Sequence, residues 1–268
     1  MSYRTILVEL NSSVAVEGRL QVCRSLAARF DATLIGMHVT PSPQEAPIWK
    51  GGTGAYLPPA MVEARRAAAR EQKEQIRAAF DSVSDRGPSM IWREAEGDPM
   101  QLLSRAAHTC DLVITEKSEE FNGAELVTSV GVPVLVLPPN GPQDLGRTVL
   151  VGWNGSSEST RAAHDALPFL LDSERVVLCA VGAVAAETLD DAAAMLKRHG
   201  VPVQVERLEG ADAQAGVILL AQAVAYRADL LVMGTYGHSR LREFVFGGAT
   251  RHMLQHATLP VLFGGCGA

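Results

Sequence analysis

Three glycine signatures are missing from this chain: Gly-x-Gly-x-x-Gly, Gly-x4-Gly-Lys-[Ser/Thr] and Gly-x-Ser-x-Gly. Without them the dinucleotide-fold, P-loop and hydrolase-elbow readings fall away. Cysteine is sparse. Cys23, Cys110, Cys179 and Cys266 are scattered with no CxxC pair, which excludes a disulfide framework or a zinc site and fits free thiols in a reducing compartment. The apolar runs fall well short of the roughly 20 residues a membrane span needs. No Lys/Arg-dense run occurs and the net charge is −6, so neither nucleic acid nor an anionic membrane is an expected partner. The opening MSYRTILVEL reads as a strand and not as a signal peptide, and a cytoplasmic protein is the expectation.

What is present is a repeat. Thr5-Ile-Leu-Val-Glu-Leu-Asn11-Ser-Ser13 parallels Thr148-Val-Leu-Val-Gly-Trp-Asn154-Gly-Ser156. Cys110-Asp111-Leu-Val-Ile-Thr parallels Ala228-Asp229-Leu-Leu-Val-Met, and Val132-Pro-Val-Leu-Val-Leu137 parallels Leu259-Pro-Val-Leu-Phe263. Three blocks in one order imply two domains of one plan, 1–139 and 140–268, joined through the Pro/Gly-rich stretch 138–146. The hydrophobic fraction of 47% is ample for both cores.

Apolar runs alternate with helical periodicity throughout. The first half predicts strands 5–10, 32–39, 90–96, 111–116 and 132–137, with helices 13–29, 60–83, 99–108 and 122–130. The second predicts strands 148–153, 175–181, 201–208, 229–234 and 259–263, with helices 157–171, 185–199, 212–226 and 247–257. Buried strands separated by helices mean an α/β protein with parallel sheets, doubly wound, and with ligands at the strand C-termini where the order reverses.

The densest information lies in 228–263. The run ADLLVMG ends on Gly234; Gly237 follows after two residues and Gly247-Gly248 after nine more, ahead of the helical RHMLQHA. Glycine lets backbone N–H groups approach a bulky ligand, and a helix N-terminus favours an anion. Either these glycines serve only turns and caps, or they cradle phosphate. Their grouping at one strand exit favours the cradle.

This pattern resembles the universal stress protein family, whose nucleotide-binding members carry Gly-x2-Gly-x9-Gly followed by Ser or Thr. Gly234, Gly237 and Gly247 match; Gly248 stands where the hydroxyl residue is expected, and Ala249 and Thr250 follow. The resemblance covers nearly the whole chain. It implies two tandem Rossmann-like domains with five-stranded sheets of order 3-2-1-4-5, and ATP or another adenine nucleotide in the second. It also places Val181 against adenine and Met233 on the ribose side. Asn154 takes the position where nucleotide-binding members usually carry Asp; it retains hydrogen bonding and loses the charge that helps hold a metal, so Mg²⁺ would enter only with nucleotide. Gly152 and Trp153 share its strand end, Trp153 packing on a ligand or in the core.

Other features weigh less. His238, Arg240 and Arg242 either neutralise outer phosphates or sit in a solvated loop. His252 and His256 have metal-binding spacing but no third ligand, so a metal site is not expected. Asn11 reads as a helix cap. The first half has one glycine where the second has four, with Glu116, Glu119 and Glu120 at the exit, so no phosphate site is expected there. The stretch 40–59 has no counterpart in the second half and reads as disordered or packed on a neighbouring chain.

Neither HIGH nor SGGxDS occurs, which removes the related nucleotide-cleaving enzymes, and no catalytic residue is assigned. The expectation is a nucleotide-binding stress sensor or regulator with an unidentified protein partner, at most a slow ATPase, with further association into a homodimer. The alternative is a nucleotide-free dimerising interaction module. The last strands of the two halves are expected to pair antiparallel within the chain, because each would otherwise leave an apolar edge open.

Overall fold

The structure is a computed structural model that describes residues 2–11, 15–41, 59–84, 87–117, 123–139, 141–142, 144–182, 186–235 and 248–265. The first half runs β1 (Thr5–Glu9), α1 (Val16–Phe30), β2 (Thr33–Thr40), α2 (Pro59–Ser84), β3 (Met90–Glu96), α3 (Pro99–Ala107), β4 (Leu112–Glu116), α4 (Gly123–Ser129) and β5 (Val134–Leu137). The second runs β6 (Thr148–Trp153), α5 (Ser157–Asp165), α6 (Leu167–Leu170), β7 (Arg175–Val181), α7 (Ala186–Arg198), β8 (Val203–Leu208), α8 (Ala215–Tyr226), β9 (Leu230–Met233), α9 (Gly248–His256) and β10 (Val261–Phe263).

All ten strands form one sheet in the order β3-β2-β1-β4-β5-β10-β9-β6-β7-β8. Each run of five therefore has the order 3-2-1-4-5, mirrored about the centre. The pairs within each half are parallel, and β5 and β10 meet antiparallel with Leu135 opposite Leu262. The expected pairing of the two last strands is present, and it leaves neither as an open edge.

The repeated Asp explains part of the repeated sequence. One carboxylate oxygen of Asp111 accepts from the backbone N–H groups of Arg4 and Thr5. The carboxylate of Asp229 accepts from Gly146, Arg147 and Thr148. Each aspartate ties the entry of its half's fourth strand to the entry of the first. Matching registers follow, Ile6 opposite Leu112 and Val149 opposite Leu230.

Helices cover both faces. One core cluster packs α1, α2, α5, α6 and α7 on the sheet, the other α3, α4, α8 and α9, and each draws side chains from both halves. Tyr3, Phe30 and Phe169 meet edge to face at 5.1–5.7 Å across the halves.

Four expected elements change shape. The single helix over 157–171 divides into α5 and α6, because Pro168 has no N–H to continue the ladder. The helix over 212–226 opens with a 3-10 turn at Asp212–Gln214 before α8. Strands 132–137 and 259–263 begin after Pro133 and Pro260, at Val134 and Val261. Most of the stretch 40–59 lies outside the described residues.

Candidate functional site

The order of strands reverses between β6 and β9, which pair in parallel with Val151 opposite Val232. Gly152 and Trp153 thus leave the sheet beside Met233 and Gly234. The N-terminus of α9 joins them, because the hydroxyl of Thr250 donates to the main-chain oxygen of Thr235 at 2.6 Å. Two strand exits and a helix N-terminus converge at a topological switch point, the arrangement that binds anionic ligands in open α/β sheets.

Each described residue of the expected site has a definite place. Gly234 is glycine for packing as well as position: a Cβ there would lie 2.6 Å from the Glu158 carbonyl carbon in the first turn of α5. Gly152 is pressed by Leu219, whose Cδ1 would be 3.0 Å from an added Cβ. Gly248 is the opposite case, with none of the described residues within 4 Å of the position a Cβ would take. Val181 ends β7 opposite Leu208, buried on the α8 side of the sheet, where Met233 packs in the same cluster. Ala249 faces α8, its Cα 3.2 Å from where a Cβ on Gly216 would stand. Gly237, His238, Arg240, Arg242 and Gly247 lie outside the described residues.

Trp153 takes the core place of its two readings, Asn154 is engaged within the chain, and Asn11 has a role other than the expected cap. Trp153 packs in the core at 8% exposure, and its indole N–H has no hydrogen-bond partner among the described residues. Asn154 turns its Oδ1 onto Ser156, accepting from the backbone N–H at 3.1 Å and from the hydroxyl at 2.6 Å. Ser156 in turn caps α5 by accepting from the N–H of Ser159. Asn154 therefore braces the helix cap. Asn11, expected as a cap, accepts instead from the N–H of Val39 at 2.9 Å, because α1 begins at Val16, beyond its reach.

The corresponding crevice of the first half is filled from within. Glu9 and Glu116 end β1 and β4, and both are buried. The guanidinium of Arg19, buried on α1, pairs with Glu116. Glu9 accepts from the N–H of Asn11 at 2.6 Å and from the Thr115 hydroxyl at 3.1 Å. Burial pushes the Glu116 carboxyl up and Glu9 adds to this, while Arg19 pulls it back. Glu9 and Arg19 were not singled out in the sequence. The available signal was an arginine inside the apolar stripe Val16, Leu20, Cys23, Ala27 of α1.

The far end of α9 is held by the first half: Lys117, next after Glu116, donates its ammonium to the carbonyls of Gln255 and Ala257. A cation there complements the helix dipole. His252 and His256 stand with ring centroids 4.5 Å apart, and burial, then the neighbouring His256, lowers the His252 pKa. No group of three His, Cys, Asp or Glu placed to hold a metal occurs among the described residues.

Residues 180–263 match the family model of the universal stress protein family. A curated universal stress protein of Synechocystis is 30% identical over 151 residues, 53% of this chain and 50% of that protein. The chain thus matches about half the length of that relative. A universal stress protein of Archaeoglobus fulgidus superposes over 98% of this chain and 96% of its own, with TM-score 0.70 and 16% identity. A functionally unknown protein of Pseudomonas aeruginosa PAO1 does so over 97% and 92%, with TM-score 0.58 and 14% identity. At these identities the two structures speak for the fold.

Proposed function

We propose that the chain, whose residues 180–263 match the family model, is a universal stress protein, and that it binds one adenine nucleotide, ATP first, in its second half. In this reading it is a cytoplasmic stress-response protein of two tandem domains, 1–139 and 140–268, that senses or regulates through binding. The observation that carries it is the convergence of the β6 exit, the β9 exit and the start of α9 where the strand order reverses. Backbone N–H groups at Gly248 and Ala249 are unpaired by the helix itself and available to phosphate. Gly234, Gly237 and Gly247 would complete the cradle, with His238 and Arg240 beside the outer phosphates. The first half supports a stoichiometry of one, since Glu9, Glu116 and Arg19 already fill the equivalent crevice.

Binding suits these parts better than turnover. Fast phosphoryl transfer needs an oriented nucleophile and usually Mg²⁺ held on the β- and γ-oxygens. Asn154 offers no carboxylate for either task, and its Oδ1 is committed to Ser156. Nucleotide held between Thr235 and Gly248 would change the surface offered to a protein partner. Three cysteines, Cys23, Cys110 and Cys179, are buried free thiols, in keeping with a reducing compartment. No helix among the described residues is long and apolar enough to cross a membrane.

One observation favours the nucleotide-free interaction module: Gly248 offers no hydroxyl where binding members carry one. Native mass spectrometry of fresh protein, followed by calorimetry with ATP, separates the two. One nucleotide per chain is expected, with binding abolished by Gly237→Asp or Gly247→Asp. Phosphate release with Mg²⁺ should stay below about 1 s⁻¹, the low end of typical enzymes. Absence of nucleotide and of binding heat would assign the chain to the interaction module. Unchanged affinity in both variants would move the site elsewhere.

A further inference from the structure

Helix α8 carries no charged side chain along AGVILLAQAVAY. Its inner face packs on the sheet through Gly216, Leu219 and Ala223, all buried. The outer face is also apolar. Val217 is 54% exposed and Val224 73%, the two most exposed large hydrophobic side chains among the described residues. They lie two turns apart on one stripe, with exposed Ala221 between them and half-buried Leu220 alongside. A surface helix ordinarily turns charged or polar residues to that side.

We propose that this face of α8 docks a second copy of the chain, the two α8 helices packing antiparallel about a two-fold axis. The inference goes beyond nucleotide binding and does not rest on it. An axis passing between Leu220 and Ala221 sets Val217 of one copy against Val224 of the other, and the reverse contact follows by symmetry. Ala221 lets the helices approach closely. The ends are complementary in charge: exposed Glu209 precedes the N-terminal end and exposed Arg227 terminates the C-terminal end. Antiparallel packing brings Arg227 toward the acidic end of the other copy and opposes the two helix dipoles, whereas parallel packing would set Arg227 against Arg227. A lipid surface is a poorer match, because α8 has no Lys or Arg on its length to border the apolar stripe. The sheet-edge route to a dimer is closed at the centre, where β5 and β10 pair with each other.

A contact of one 12-residue helix with its copy is smaller than the roughly 800 Å² per partner of a standard interface. The dimer is therefore reversible at micromolar concentrations and above. Sedimentation velocity from about 1 µM to several hundred µM tests it. The wild type should rise from the mass of one chain toward that of two. Val224→Asp and Val217→Asp should each hold the protein at the single-chain mass with unchanged circular dichroism, and Arg227→Glu should weaken association several-fold. The two Asp variants guard against one that fails to fold. A wild type that stays at the single-chain mass throughout overturns the proposal, as does association that both Asp variants retain. Flotation of single-chain protein with neutral phosphatidylcholine vesicles, lost in Val224→Asp, would overturn it in favour of a lipid surface.

Discussion

The hydroxyl of Thr250 reaches the main-chain oxygen of Thr235 at 2.6 Å and so joins the exit of β9 to the first turn of α9. The bond is buried and holds the two ends of the intervening segment together. Thr250→Val keeps the shape and removes the donor. It should cost about 1 kcal/mol of stability, the usual net worth of such a bond. Nucleotide affinity should fall with it, because the cradle is held less firmly. Urea unfolding and calorimetry on the same variant measure both, and unchanged affinity would separate the bond from the binding site.

Gly248 begins α9, and none of the described residues lies within 4 Å of where its Cβ would stand. Serine is favoured at helix starts. Gly248→Ser would supply the hydroxyl that binding members of the family carry. One added hydrogen bond of about 0.5–1.5 kcal/mol corresponds to roughly 2–10-fold tighter ATP binding. Titration calorimetry of the variant against the wild type decides it, and weaker binding would speak against a phosphate at this position.

Gly234 gives the contrasting result. Its missing Cβ would lie 2.6 Å from the Glu158 carbonyl carbon and 2.7 Å from the Ser159 nitrogen, both backbone atoms that cannot swing aside. Gly234→Ala should destabilise the fold by about 1–3 kcal/mol through overpacking, with or without nucleotide. A melting temperature equal to the wild type would show that α5 moves away at little cost.

Arg19 and Glu116 form a buried pair at the first half's crevice. Arg19→Met should cost about 3–5 kcal/mol at neutral pH, since Glu116 and Glu9 then share a buried site without the guanidinium. The double variant Arg19→Met, Glu116→Leu should regain most of it. The pH dependence has a definite sign. Burial raises Glu116 above its ordinary value of 4.5, so the folded chain keeps a proton that the unfolded chain releases. The stability this contributes is full below 4.5 and is lost as pH rises through the raised folded value. Arg19→Met removes the cation that pulls Glu116 down, which extends the loss to higher pH. Denaturant melts between pH 4 and 8 should show the variant closest to wild type at the acid end; a deficit independent of pH would exclude Glu116 as its source.

The repeat and the alternating apolar runs determined by themselves that this is an α/β protein of two similar halves. Burial of a strand on both faces writes itself into every residue of the strand, as in Leu112–Glu116 and Leu230–Met233. The glycine spacing after β9 singled out that strand exit as the candidate crevice; of its four glycines, Gly234 and Gly248 fall among the described residues. The pairing of β5 with β10 was also legible, since two short apolar final strands each need cover.

Tertiary structure decided the rest. Nothing local distinguishes Gly234, pressed against the α5 backbone, from Gly248, which none of the described residues crowds. Asn154 and Asn11 occupy equivalent places in the repeat, yet one braces the Ser156 cap and the other holds the N–H of Val39. A short polar side chain takes whichever donor the neighbouring strand or turn brings within 3 Å, and that is set by packing far along the chain. The plug of Glu9, Arg19 and Glu116 joins three elements separated by up to 107 residues. A charge becomes acceptable in a core only when a distant partner arrives to meet it, and no local sequence pattern records that meeting.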